Sequence, residues 1–428
     1  MAGGTPVRAR EAGDRSGSLC LMTFLPGLAQ TALPTTVVWA PAMTDYNFGH
    51  SHPMAPERME LTAKLAGSLG LLDLDHVSVA APDVATDAEL CAVHSPEFVA
   101  AVRRVSANPD TSDHARGLGT EDDPAFAGMH EASARLAGGS LLAAAAVLDG
   151  SAVRAVNFGG GMHHASRERA SGFCIYNDAA LAVQRLLDGG VRRVAYVDVD
   201  AHHGDGTQSI FWDDPRVLTI SLHESGLTLF PGTGFANEIG GPNAQGSAVN
   251  VALPAGTVDA GWLRAFHAVV PQLIGAFEPE VIVSQHGCDS HRLDPLTHLN
   301  ISVDGQREAA TAIGNLAARY CGNRWISTGG GGYNVVSVVP RAWSHLIAIA
   351  AGRPVPLRTP VPEDWRNYVK EKYGAKFGVE PPETMGDDVD LWWRSWEVGF
   401  DPNDEVDRTI MATRKEVFPL HGLDPWFD

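Results

Sequence analysis

Val191-Arg192-Arg193-Val194-Ala195-Tyr196-Val197-Asp198-Val199-Asp200-Ala201-His202-His203-Gly204-Asp205-Gly206 passes from an apolar, β-branched segment directly into three acids and two histidines. A continuous apolar run of this kind predicts a strand buried on both faces, as in a parallel sheet, with the polar cluster at its carboxyl end. Alternate residues of extended backbone share a face, so Asp198, Asp200 and His202 can point into one site. One such face supplies two metal ligands and one supporting carboxylate. The plainer reading is an Asp- and Gly-rich turn capping the next helix, but three acids and two histidines exceed what a turn requires.

Outward from this segment, short β-branched runs alternate with Ala- and Leu-rich stretches. Thr36–Ala40, Ala155–Phe158, Val191–Val199, Arg216–Leu222, Glu280–Gln285 and Arg324–Thr328 read as strands, and 131–149, 178–188, 259–277 and 305–320 as helices. That rhythm predicts an α/β fold with a central, mostly parallel sheet flanked by helices, a three-layer sandwich. In such sheets the site lies beyond the carboxyl ends of the strands. His163 and His164, the Asp198–Asp205 cluster, Asp289 and Tyr333 each follow one of these runs.

A hydrolytic zinc centre uses three protein ligands and keeps one position open, so a third ligand must join Asp200 and His202. Asp289, in Gln285-His286-Gly287-Cys288-Asp289-Ser290, is the best candidate, although an Asp after a strand is more often a helix cap. In Gly159-Gly160-Gly161-Met162-His163-His164 two imidazoles adjoin a backbone that can approach a ligand closely. Unequal surroundings would split their pKa values into different roles; a structural pair satisfied by carbonyls is the alternative. Gly329-Gly330-Gly331-Gly332-Tyr333-Asn334 lacks the Lys-Ser/Thr of a phosphate loop. It reads instead as a close-approaching loop that delivers the Tyr333 hydroxyl to an oxyanion.

The 428 residues carry a formal charge of −19, which disfavours nucleic acid and anionic lipid as partners. Apolar residues make up 44% and charged residues 19%, as in an ordinary soluble protein. Five cysteines, Cys20, Cys91, Cys174, Cys288 and Cys321, form no C-x-x-C pair, which fits reduced thiols in the cytoplasm. Ser18–Thr31 loosely mimics a secretory signal, but its apolar stretch is short and interrupted by Pro26. No run of about 18 apolar residues is present, so no membrane span is expected. Residues 1–35 read as a disordered leader, 36–352 as the catalytic domain, and 353–428 as a Pro- and Trp-rich extension. Trp365, Trp392, Trp393, Trp396 and Trp426 favour packing that extension on the domain.

Taken together, His163-His164-Ala165, Ala170 to Asp178, Asp198 to Gly206, Phe230-Pro231-Gly232-Thr233-Gly234, Gln285 to Pro295 and Gly329 to Asn334 resemble the zinc-dependent histone deacetylase family of the arginase/deacetylase fold. The match spans roughly residues 37–350. His50-Ser51-His52-Pro53-Met54 to Arg58, Gln285 to His291 and the Trp-rich tail look most like its bacterial acetoin-utilisation branch. The resemblance implies zinc on Asp200, His202 and Asp289, with Tyr333 polarising an acetyl carbonyl. It implies His164, oriented by Asp205, as general base and then acid, and His163, oriented by Asp198, as its electrostatic partner. Phe173 and Phe230 would flank an acyl-lysine channel lined by Gly172, Asp122 would meet a peptide at the rim, and Arg58 would lie by an inner acetate cavity. A structural potassium near Asp198, Asp200, His202, Ser221 and Leu222 is also implied.

Met162, His286 and Cys288 depart from the wider family pattern: Met162 stands where a bulkier aromatic is often found, which bears on the channel floor, and His286 and Cys288 replace smaller or apolar residues. The expected substrate is an acetylated protein or peptide, such as a metabolic enzyme; oligomeric state is not readable. An acetylpolyamine amidohydrolase would keep the same chemistry and change the channel mouth. A catalytically silent metal-binding regulator would be expected to have lost a ligand, the base or the oxyanion group, and none is missing.

Overall fold

The computed structural model describes residues 32–428, so Cys20, the signal-like segment and nearly all of the proposed leader lie outside the described residues. Eight strands form one sheet: β1 (Thr35–Val38), β2 (Val77–Ala80), β3 (Arg154–Asn157), β4 (Val194–Asp198), β5 (Val217–Glu224), β6 (Ala248–Leu253), β7 (Val281–Gln285) and β8 (Trp325–Thr328). Their order is β2-β1-β3-β8-β7-β4-β5-β6, and every pairing is parallel. All six expected strands are present, and the sheet is wholly parallel.

The helices are α1 (Glu57–Ser68), α2 (Asp87–Leu90), α3 (Pro96–Ala107), α4 (Met129–Asp149), α5 (Asp178–Asp188), α6 (Asp205–Ile210), α7 (Asp259–Phe277), α8 (Val303–Tyr320), α9 (Val339–Ala350), α10 (Glu363–Phe377) and α11 (Glu405–Val417). Packing of α4 and α5 against the central strands forms one outer layer; α7, α8 and α9 form the other, with α1 against α9. The interior strands are buried along their whole length, which is why they read as unbroken apolar runs. By length and composition α4 could cross a membrane, but 67% of its most apolar window is buried inside the molecule.

Two strands escaped the sequence reading, and both are sheet edges. Val77–Ala80 is short and half-exposed, so it lacks the apolar signature of the interior. Ala248–Leu253 follows a Gly- and Asn-rich loop, and its outer edge is covered by α11. Thr413 Oγ1 donates to Asn250 O at 2.6 Å there.

The extension packs on the domain as ordered helices. Arg264 of α7 is buried and makes a two-pronged ion pair with Asp407 of α11, at 2.5 and 2.8 Å. Its guanidinium also donates to the carbonyls of Arg394, Ser395 and Gly399. Trp365 is fully buried, and its indole N–H donates to Leu61 O at 2.9 Å. The expectation of aromatic burial needs correction in part. Trp365 and Trp396 are buried, whereas Trp392 is 67% and Trp426 47% exposed, because those two lie on the outer surface of the extension.

Candidate active site

Register, more than sequence proximity, assembles the site. Asn157 pairs with Thr328, Thr328 with Gln285, Gln285 with Asp198, and Asp198 with Ser221. A row of polar residues thus crosses the carboxyl edge of five neighbouring strands, every one buried. The loops that leave this row carry the expected site residues.

Asp200, His202 and Asp289 each offer a ligand atom, and these atoms lie within 4.8 Å of one another. His202 Nδ1 is 3.1 Å from Asp200 Oδ1 and 2.9 Å from Asp289 Oδ2. The outer oxygens are already engaged: Gln285 Nε2 and Gly331 N both donate to Asp200 Oδ2 at 2.8 Å, and Ala201 N donates to Asp289 Oδ1 at 2.9 Å. Asp200 Oδ1, which also accepts from His202 N at 3.0 Å, and Asp289 Oδ2 thus both face the His202 ring. Two buried carboxylates and an imidazole need a positive charge between them, and this oxygen-and-nitrogen set suits zinc. The two acids also act on the His202 imidazole. Burial alone would lower the His202 pKa, but Asp289 and Asp200 push it up to about 10.

Glycine is required where the loops pass these carboxylates. A Cβ on Gly287 would sit 1.8 Å from Asp200 Oδ2, and one on Gly331 would sit 2.0 Å from Asp289 Oδ2. In the glycine run after β8, Gly331 therefore serves close approach to anionic side chains.

His163 and His164 face each other through their Nε2 atoms at 3.1 Å. Asp198 Oδ2 is 2.8 Å from His163 Nδ1, and Asp205 Oδ1 is 2.7 Å from His164 Nδ1. Burial would lower both pKa values. For His163 the Asp198 and Asp200 charges outweigh it and raise the pKa to about 9. For His164 burial and the neighbouring charged His163 prevail over Asp205 and lower it to about 4. The two imidazoles are thus driven in opposite directions, His163 toward the charged form and His164 toward the neutral form that can act as base.

Phe173, expected to flank a channel, sits on a tight turn. Ser171 and Cys174 exchange both backbone hydrogen bonds, and Gly172 and Phe173 between them have φ of 55° and 67°. Phe173 is held in this left-handed conformation by Tyr46, whose hydroxyl donates to Phe173 O at 2.7 Å. Its ring meets Tyr333 edge-on at 5.7 Å and His52 at 4.4 Å. Phe230, 42% exposed, packs edge-on to His164 at 5.0 Å. Gly172 lies between His164 and Phe230, within reach of both. Asp122 is exposed at the rim, where its carbonyl is 3.1 Å from His52 Nε2.

Tyr333 is positioned from both sides. Its N–H donates to Asp294 Oδ2 at 2.8 Å, and burial, then the Asp289 and Asp200 charges, hold its hydroxyl well above the usual phenol range. Arg58 is buried under the glycine loop and donates to Gly330 O at 2.9 Å and Gly332 O at 3.1 Å. Its guanidinium lies 5.3 Å from the Trp343 ring. A cavity of about 20 Å³, lined by His286, Cys288 and Trp343 among others, lies beside the candidate ligand residues, and Arg58 is not part of its lining. The Ser221 hydroxyl is 2.8 Å from His223 Nδ1, and Leu222 is buried beside it on β5.

Several supporting residues carried no individual signal in the sequence. Asn177 caps α5 through Ala180 N at 2.8 Å while its Nδ2 donates to Ala165 O at 2.9 Å, so one residue starts a helix and ties down the histidine loop. Asp178 accepts from Met162 N at 2.7 Å and Gly161 N at 2.9 Å, both in that loop. Tyr196 donates to Asp198 Oδ2 at 2.6 Å. An Asn-Asp pair at the start of the helical stretch that follows the His-His motif was the available clue for the first two.

Comparison with known proteins agrees with this geometry. Residues 52–350 match the histone deacetylase domain model. The chain is 41% identical over 357 residues to the acetoin utilization protein AcuC of Bacillus subtilis strain 168, covering 83% of this chain and 90% of that protein. It is 39% identical over 333 residues to the protein of the same name from Staphylococcus xylosus, covering 77% and 86% respectively.

Proposed function

The chain belongs to the histone deacetylase family and is a hydrolase of the deacetylase type, and from that premise we propose that it is a zinc-dependent enzyme converting acetyl-lysine in proteins to lysine and acetate. Its substrates on this reading are cytoplasmic metabolic enzymes of acetoin or acetate utilisation, in keeping with the name its relatives carry. The observation that carries the proposal is the convergence of Asp200, His202 and Asp289 beside two histidines, each backed by its own carboxylate.

Zinc held by Asp200, His202 and Asp289 would supply Lewis acidity, making water more acidic and the acetyl carbonyl more electrophilic. His164, pushed toward its neutral form, has its Nδ1 against Asp205, and its Nε2, which faces His163, would exchange that contact for water and take its proton as the oxygen attacks the carbonyl carbon. The carbonyl oxygen gains negative charge, and the Tyr333 hydroxyl and the His163 cation stabilise it. His164 then returns the proton to the lysine nitrogen as the C–N bond breaks, giving acetate and free lysine. Phe173 and Phe230 would hold the apolar stem of the lysine, and Asp122 would accept amide hydrogens of the peptide at the rim. The potassium implied by the family reading, near the ends of β4 and β5, enters no step.

The test is hydrolysis of acetyl-lysine peptides and acetylpolyamines side by side, with and without a chelator. Chelator-sensitive cleavage of the peptides is expected. Activity confined to the polyamines would replace the substrate assignment, and no activity on either with zinc bound would overturn the reading. Replacing Tyr333 by Phe is expected to lower kcat by about 10²- to 10³-fold while zinc content stays the same.

A further inference from the structure

Beside the site mouth lies a second depression, of about 290 Å³. Its walls come from three parts of the chain: the loop before α1, the segment following Tyr333, and the end of α10 in the C-terminal extension. We infer that this groove is a subsite for an apolar residue flanking the acyl-lysine of a protein substrate, with Phe377 and Val379 of the extension as its specificity-determining wall. This inference rests on the deacetylase reading above.

Continuity with the site is the first argument. Tyr333 and His52 line the groove, and both rings also pack edge-on against Phe173 of the channel wall. A chain whose acyl-lysine enters the channel must therefore lie next to it. Volume is the second argument. The groove is at the lower end of the range of small-ligand pockets, too small for a folded element but sufficient for one large side chain or two small ones. Lining chemistry is the third. Pro53, Val335, Val336, Phe377 and Val379 contribute apolar surface, and Val379 is 43% exposed. Among the described residues lining the groove, the acid and the lysine, Glu57 and Lys376, are paired with each other. The other polar lining, Asn47, His50, His52 and Asn334, offers hydrogen bonds but no fixed counter-charge, so a charged substrate residue gains less there than an apolar one gains by burial.

The wall is firmly held, as a specificity element requires. On α1, Glu60 accepts from Lys372 Nζ and Tyr373 OH of α10, each at 2.6 Å, and Lys376 reaches Glu57 one turn away. The same helix turns Arg58 inward to the carbonyls of the Tyr333 loop. One helix thus fixes the groove wall on one side and the catalytic loop on the other.

The experiment compares peptides with Leu or Asp at the positions on either side of acetyl-lysine. In the zinc-loaded full-length protein, kcat/KM for the best Leu peptide should exceed that for its Asp counterpart by about tenfold, mostly through KM. Val379→Asp should bring this ratio towards one or invert it, Phe377→Ala should reduce it, and Val379→Leu should preserve it. General damage to the fold would lower both rates and leave the ratio intact. A wild-type ratio near one, or a ratio untouched by Val379→Asp and Phe377→Ala, overturns the subsite. Should no peptide be cleaved, the deacetylase reading fails first, and fluorescence anisotropy of the same labelled peptides then decides the groove. A Leu preference in binding that Val379→Asp abolishes supports it, and equal binding of the Leu and Asp peptides overturns it.

Discussion

His163 and His164 are neighbours of identical chemistry that the fold drives in opposite directions. Asp198, behind His163, is fully buried and reinforced by Asp200, whereas the side chain of Asp205 behind His164 is 30% exposed and its field is weaker. One imidazole is thereby pushed toward its charged form and the other toward its neutral form, a division that identical residues cannot make alone. Replacing His164 by Ala removes the proton acceptor and is expected to lower kcat by about 10²- to 10⁴-fold. Replacing His163 by Ala removes only a stabilising charge and should cost less. Steady-state kinetics of the two variants at neutral pH check this, and a larger loss for His163→Ala would reverse the assignment.

Among the elements, the glycine loop between β8 and α9 has the least room for change. Its backbone donates to Asp200, its carbonyls are held by Arg58, and its end presents Tyr333. Gly331→Ala would force a methyl group into the space of Asp289 Oδ2, displacing a ligand atom while leaving all three ligand residues in place. The expected outcome is at least about a tenfold loss of zinc affinity, in line with the disturbance of groups supporting a metal site. Metal content after equilibration in a zinc buffer reads it directly, and unchanged zinc affinity would mean that the loop yields more easily than its packing implies.

Across the whole molecule, the extension is part of the folded unit through the buried Arg264–Asp407 pair. Burial alone would raise the Asp407 pKa, but the hydrogen bonds and charge of Arg264 outweigh it and hold the carboxyl below its usual range. A folded-state pKa below the unfolded value of about 3.9 contributes stability above that pH, and the contribution is lost as pH falls through the folded value. Asp407→Asn should therefore cost about 3–5 kcal/mol at pH 7, because Arg264 is left buried without a counter-charge. The gap from wild type should narrow below about pH 4. Denaturant titrations at several pH values measure it; a gap constant down to strongly acid pH would show that the pair is not its source.

The sequence by itself determined the parallel α/β architecture and the edge on which the chemistry lies, because strand and helix periodicity is local and the interior strands are buried on both faces. It also marked Asp200 and His202, two residues apart on one extended segment. Asp289 required the pairing of β4 with β7, and the backing of the histidines by separate acids required loops from different strands to meet. Gln285, Asn177, Asp178 and Tyr196 are ordinary polar residues until register and capping place them behind the site. The edge strands β2 and β6 and the helices of the extension were missed because their stability comes from partners far away in the chain, with little local signal. Which histidine carries charge, what Arg58 holds and where a second groove opens depend on burial and long-range contact, which only the tertiary structure decides.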